Sequence, residues 1–119
     1  MRESALYNQI IRAAYPFMFI TRANVGAVIS KDGRRFSSGL PKGFPDLFGV
    51  LPACMAADGR EHTVFIECKV GDGKLSPEQR DFLNRRYKDG CICGVCRSVD
   101  DFWGMMIPHL KAKDDNGET

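Results

Sequence analysis

The chain has only two histidines, His62 and His109, and one tryptophan in 119 residues. It carries no GxxxxGKS/T loop, no HExxH helix and no GxSxG elbow. Walker-type phosphate cradling, zincin hydrolysis and serine-hydrolase chemistry are thereby excluded. Long apolar runs are also missing: residues 13–20 and 50–57 are the longest, and Pro16 and Pro52 break them. Both fall far short of the ~20 residues a membrane span needs. Met1-Arg2-Glu3-Ser4 leads into an amphipathic pattern rather than an apolar signal region, so a cytoplasmic protein with no membrane partner is expected. Five cysteines, an odd count, argue against a disulfide framework and for reduced thiols.

Charge of one predominant sign is missing too, since 17 Lys and Arg face 15 Asp and Glu for a net +2. That sum conceals unlike parts. Residues 1–97 carry 15 basic and 10 acidic side chains, and residues 98–119 carry 2 and 5. The body is +5 and the C-terminal end −3. A solvated mixed-charge surface accounts for such a body, and so does a polyanion-binding face. At 44% hydrophobic and 27% charged, the composition is that of an ordinary globular protein, and the length suits one core. A single domain over residues 1–110 with a polar tail over 111–119 is expected.

Hydrophobic periodicity predicts a helix over residues 3–15, with Leu6, Ile10, Ala13 and Ala14 on one stripe and Pro16 ending it. Phe17–Ile20 reads as a strand with Arg22 and Asn24 at its far end. Gly26, Gly33, Gly39, Pro41 and Gly43 punctuate the following basic tract, so regular structure there is expected to be short at best: a long functional or mobile loop, or instead a small hairpin turning at Asp32-Gly33. Residues 46–51 and 63–69 read as strands with Asp58-Gly59 turning between them. Ser76-Pro77-Glu78-Gln79 combines an N-cap, a proline at N1 and a capping box, opening a helix to about Asp89 with Phe82, Leu83 and Tyr87 inward. A strand over Cys91–Cys96 and a helix over Val99–Leu110, interrupted by Gly104 and Pro108, complete an α/β order with helices flanking one sheet.

Chemistry concentrates at Asp46, Glu67 and Lys69. Glu67 and Lys69 project from one face of an otherwise apolar strand, because side chains alternate. A cross-strand salt bridge accounts for them at a few tenths of a kcal/mol to ~1 kcal/mol. A divalent-metal site is the functional alternative. Mg²⁺ takes hard oxygen ligands and needs only one or two carboxylates beside water and phosphate, which Asp46 and Glu67 would supply from adjacent strands. Lys69 would then serve the attacking water and offset charge developing at phosphorus.

Pro45-Asp46 and Glu67-Cys68-Lys69 resemble the PD-(D/E)xK nuclease motif. The flanking residues resemble one branch of it, the VRR-NUC (virus-type replication-repair nuclease) domain in its small stand-alone form. They include Glu3 on the first helix, Arg22-Ala23-Asn24-Val25-Gly26, and Gly39-Leu40-Pro41-Lys42-Gly43-Phe44-Pro45-Asp46-Leu47-Phe48-Gly49. Gly73-Lys74-Leu75-Ser76-Pro77-Glu78-Gln79 and Gly90 follow in order, so the likeness spans roughly residues 2–103. It implies a restriction-endonuclease-like α-β-β-β-α-β core with a mixed sheet flanked by helices. It also implies Asp46, Glu67 and the Cys68 backbone carbonyl as ligands of Mg²⁺ or Mn²⁺, with Lys69 serving the water. Glu3 would be a further ligand or water-orienting acid, and Gln79 would hydrogen-bond near Lys69 or the water. The capping box alone accounts for Gln79, and the helix dipole alone favours an acid at Glu3.

The resemblance further implies a structure-selective endonuclease that acts as a homodimer on branched DNA, such as Holliday junctions in DNA repair. A non-catalytic DNA-binding or structural module on the same fold is the competing class. Arg34, Arg35 and Lys42, on the loop leading into Asp46, are expected to contact DNA together with Arg22, Lys31 and Lys74. Without a recognition helix they would hold phosphates rather than read bases. Cys91, Cys93 and Cys96 with His109 suggest zinc only weakly, since Cys93-x-x-Cys96 has no second such pair.

Overall fold

A computed structural model of the protein describes residues 1–23, 27–37 and 39–112, the side chains of residues 27–29 and 35–37 excepted. Asn24 in the expected strand end, Ser38 and most of the expected polar tail, residues 113–119, lie outside the described residues.

Helix α1 (Glu3–Ala14) opens the chain, with Leu6, Ile10 and Ala14 fully buried along one stripe and Tyr7 beside them. Pro16 does not end the turning at once. The Phe17 and Met18 N–H groups both donate to the Ala14 carbonyl, at 3.0 and 3.1 Å, using an oxygen that the helix end leaves unpaired. The strand expected over Phe17–Ile20 therefore begins two residues later, as β1 (Phe19–Arg22). Strands β2 (Ala27–Ile29) and β3 (Arg35–Ser37) form a separate antiparallel hairpin. It turns where Asp32-Gly33 predicts, with Gly33 at φ +84°.

Strands β4 (Leu47–Leu51) and β5 (His62–Cys68) follow, joined through a short 3₁₀ turn at Ala53–Met55. Helix α2 (Pro77–Lys88) starts at the predicted capping box: Ser76 Oγ accepts from the Gln79 N–H at 3.1 Å, and Gln79 Oε1 accepts from the Ser76 N–H at 2.8 Å. Strand β6 (Ile92–Cys96) and helix α3 (Val99–Met106) close the domain. α3 passes through Gly104 instead of breaking there. It stops short of Leu110, because Pro108 diverts the chain into a 3₁₀ turn at Ile107–His109.

The main sheet has the order β1-β4-β5-β6, with β5 antiparallel to β4 and parallel to β6. It is a mixed sheet flanked by helices, as expected. Its registers bring the end of β1, the start of β4 and the ends of β5 and β6 to one edge. One face buries Leu47, Leu51, Val64, Ile66, Cys68, Ile92 and Cys96 against α1 and against Phe102 and Met106 of α3. The other carries Phe48 and Phe65, which pack with Phe82 of α2 and Phe44 of the preceding loop; Phe44 lies 5.2 Å from Phe82 and 5.7 Å from Phe65, ring to ring. β5 is thus apolar on both faces, as a central strand requires. Tyr87, expected inward, is exposed: it stands at the rim of a cleft beside β6, the edge strand of the sheet.

Candidate active site

Asp46 enters from a loop that is held on both sides. Phe44 is locked into the aromatic group, and Gly43, at φ +91°, lies so close to α2 that a Cβ there would sit 2.5 Å from the Glu78 carbonyl oxygen. The Asp46 carbonyl accepts from the Ala23 N–H at 2.8 Å, and its Oδ2 accepts from the Cys68 N–H, also at 2.8 Å. Asp46 is thus held from both sides, at its backbone by Ala23 and at its half-buried carboxylate by Cys68.

Glu67 is opposite. On β5 it shares a face with Phe65, is 1% exposed, and its Oε2 has no hydrogen-bond partner among the described residues. Burial raises its pKa well above the ordinary carboxylate range, the adjoining Asp46 raises it further, and Lys69 partly offsets the rise. An unpartnered carboxylate oxygen in the interior is costly unless a proton or a cation meets it. Lys69, one residue past the strand, is half-buried, and its N–H donates to the Cys96 carbonyl at 3.1 Å.

Glu3 reaches the same edge from the start of α1, and the field of its carboxylate adds to the rise at Glu67. It accepts from the Tyr7 hydroxyl at 3.1 Å, and the Arg22 guanidinium lies 4.7 Å over the Tyr7 ring. Burial and the Asp46 and Glu3 carboxylates hold the phenol far above its usual pKa, so Tyr7 stays a donor. Sequence reasoning missed Tyr7, since it counted only the aliphatic stripe. The signal was the Glu3–Tyr7 spacing of four, which stacks two polar groups on one helix face.

Among the described residues, no three His, Cys, Asp or Glu side chains form a ready-made metal cage. Two carboxylates and a main-chain oxygen suffice for Mg²⁺, which keeps several waters and takes phosphate oxygens from its substrate. The orphaned Glu67 oxygen beside Asp46 fits such an ion in donor chemistry and in charge. Cys93 and Cys96 lie three apart on β6 and so face opposite sides of the sheet, and Cys96 is in the core.

The cations expected to contact DNA are dispersed. Arg22 is exposed at the same sheet edge, Lys31 and Arg34 are exposed at the β2–β3 turn with Arg34 3.5 Å from Asp32, and Lys42 pairs with Glu78 at 3.5 Å. Arg35 starts β3, and its side chain lies outside the described residues. Lys74 lines an open cleft of about 650 Å³ with Arg80, Arg97, Asp100 and Asp101.

Gln79 spends Oε1 on the cap, so only its Nε2 amide is left to assist chemistry. Gln79→Glu keeps an oxygen for the Ser76 N–H and should leave stability within about 0.5 kcal/mol of wild type. If the amide assists the water, the same variant loses about tenfold in kcat. Thermal denaturation run beside the cleavage assay separates the two, and an unchanged kcat leaves Gln79 as a cap alone.

A mixed sheet that gathers two carboxylates and a lysine at the carboxyl end of a central strand is the build of a restriction-endonuclease-like nuclease. The VRR-NUC domain model matches residues 18–100, well over half of the chain, and the chain belongs to that family of nucleases. The matched span contains Asp46, Glu67, Lys69 and Gln79, while Glu3 and Tyr7 precede it. No curated protein and no solved structure shows a significant match. Among the described residues, no helix is long and apolar enough to cross a membrane.

Proposed function

We propose that this protein is a divalent-metal-dependent endonuclease that hydrolyses DNA phosphodiester bonds by water attack. The observation that carries the reading is the buried Glu67 carboxyl, with one oxygen unpartnered, facing Asp46 and preceding Lys69 by two residues, in a stretch from Val64 to Cys68 whose other side chains are apolar and buried. Asp46 and Glu67, with the Cys68 carbonyl and Glu3, would hold Mg²⁺ or Mn²⁺. When bound, the ion supplies positive charge to the scissile phosphate and acidifies a water.

The chain's own residues do the rest. Lys69 presents an ammonium at the rim of the acid pair, where it orients the attacking water and meets the charge developing on phosphate oxygens. Tyr7 holds Glu3 through its hydroxyl, and Cys68 holds Asp46 through its N–H, so neither carboxylate has to reorganise. Arg22, at the same edge, would hold a phosphate flanking the cut, and Lys74, Lys31, Arg34, Arg35 and Lys42 would extend the basic surface. The family resemblance supports a branched substrate such as a four-way junction, and a homodimer that presents two such sites across a two-fold axis.

Cleavage of labelled four-way junction, flap and linear duplex in Mg²⁺, Mn²⁺ or EDTA tests the reading. Nicking in either metal, none in EDTA, and about a 10²–10³-fold loss of kcat in Lys69→Ala are expected. A wild-type protein that binds DNA yet stays inert in both metals would establish the non-catalytic module instead. Sedimentation equilibrium gives the oligomer, and a monomer that still cuts both arms of a junction symmetrically sinks the paired-site arrangement.

A further inference from the structure

Lys69 is the last residue that the sheet itself holds. Beyond it the chain turns through Val70, Gly71 at φ +55°, Asp72 and Gly73, with the Gly73 N–H donating to the Val70 carbonyl at 3.1 Å. The Gly73 backbone lies along the Lys69 stem: a Cβ added there would be 3.5 Å from Lys69 Cδ and 3.7 Å from its Cβ. One wall of the lysine is therefore a glycine turn: Val70 packs against the core at its start, but Gly71, Asp72 and Gly73 have no apolar side chain to anchor them and the glycines have much conformational freedom to lose.

Arg97 supplies the anchor. It is the first residue after β6, level with Lys69 because Cys68 and Cys96 are partners in the parallel register. Its Nη1 donates to the Gly71 carbonyl at 3.1 Å and its Nη2 to the Gly73 carbonyl at 2.7 Å. Its own N–H donates to Asp101 Oδ2 at 2.8 Å, and the Asp101 N–H in turn donates to Ser98 Oγ, the N-cap of α3. The clamp thus runs from a rigid helix start to the turn that backs the lysine.

We propose that Arg97 is a positioning residue for Lys69: its guanidinium pins the 71–73 turn against the lysine stem and so fixes where the ammonium sits. This rests on the role given to Lys69 above. A planar fork matches two carbonyls at once, which the point charge of a lysine cannot do. A lysine stem with four rotatable bonds gains a defined position only from such a wall.

Arg97 is exposed and shares its cleft with Lys74 and Arg80, so a phosphate contact is the competing role. Steady-state cleavage at saturating DNA, beside a separate DNA-binding titration, separates the two. Arg97→Ala should lower kcat about 10–100-fold while the Kd for DNA changes less than about threefold, and Arg97→Lys should not restore the rate. Amide hydrogen exchange at Gly73 should accelerate while β5 stays protected. In a Lys69→Ala background, removing Arg97 should cost nothing further, because the residue it acts through is already gone. Wild-type kcat in Arg97→Ala beside a crippled Lys69→Ala overturns the positioning role, as does a weakened Kd with a shallower salt dependence and no kcat effect. Full cleavage by Lys69→Ala would instead overturn the functional reading on which it rests.

Discussion

Glu67→Gln should abolish cleavage, by at least about 10³-fold, and at the same time make the metal-free protein more stable above neutral pH. The two effects share one cause. Glu67 is buried, its pKa is raised by burial first and by Asp46 second, and one of its oxygens has no partner. A carboxyl whose pKa is higher folded than unfolded holds its proton in the native state after the unfolded chain has lost it. Its stabilising contribution is complete below the ordinary carboxylate range near ~4.3 and is lost as pH climbs through the raised native value. The metal-free wild type should therefore weaken from mild acid to alkaline pH.

A neutral glutamine removes that slope, and at pH 8 the variant should be more stable by about 1–2 kcal/mol. A bound divalent cation should reverse the order, since it meets the charge that burial penalises and has far less affinity for a neutral amide. Thermal melts in EDTA and in Mn²⁺ at pH 6 and pH 8.5, beside Mn²⁺ binding by calorimetry, read all three effects. If EDTA melts of wild type and Glu67→Gln kept the same separation at both pH values, the carboxyl would not be the group that titrates.

The proximity of Asp46, Glu67 and Lys69 was legible in the sequence because it follows from short-range rules, whereas the roles proposed for them rest on the family resemblance. Strand alternation placed Glu67 and Lys69 on one face, and a turn between two strands was enough to return Asp46 beside Glu67. The capping box and the Asp32-Gly33 turn were local as well, which is why α2 and the β2–β3 hairpin fall where residue chemistry puts them. What was not legible depends on partners distant in the chain. Phe17 and Met18 look like strand residues, yet both N–H groups are captured by Ala14, and Phe17 stacks on Phe102 and Trp103 of α3. Tyr87 has an inward spacing, but the sheet ends at β6 before covering it. Tyr7 and Arg97 are polar residues whose meaning comes only from what faces them, Glu3 and Asp46 for one, the carbonyls of Gly71 and Gly73 for the other.

Gly49→Ala should be the most destabilising single methyl that the sheet can receive. Gly49 lies opposite Ile20 in the β1–β4 register, and a Cβ there would stand 2.0 Å from the Phe19 carbonyl oxygen and 2.9 Å from Ile20 Cα. These are backbone atoms of the paired strand, so no rotamer change relieves the overlap and the edge strand β1 has to move. Ile20 and Met18 leave the core with it, and overpacking of this kind costs about 3 kcal/mol or more. The loss also reaches the site, since Ala23, just past β1, donates to the Asp46 carbonyl. Cleavage per folded molecule should therefore fall together with stability, which a purely structural lesion far from the acids would not cause. Gly104→Ala is the control: nothing lies within 4 Å of a Cβ there, and a helix-interior alanine should add about 0.5–1 kcal/mol without changing kcat. Urea denaturation of the three proteins, with activity normalised to folded fraction, decides the matter. A Gly49→Ala midpoint within about 1 kcal/mol of wild type would mean that β1 rides away from β4 freely. Asp46 would then keep the Cys68 bond without needing the Ala23 one, and the two-sided anchoring of this residue would have to be abandoned.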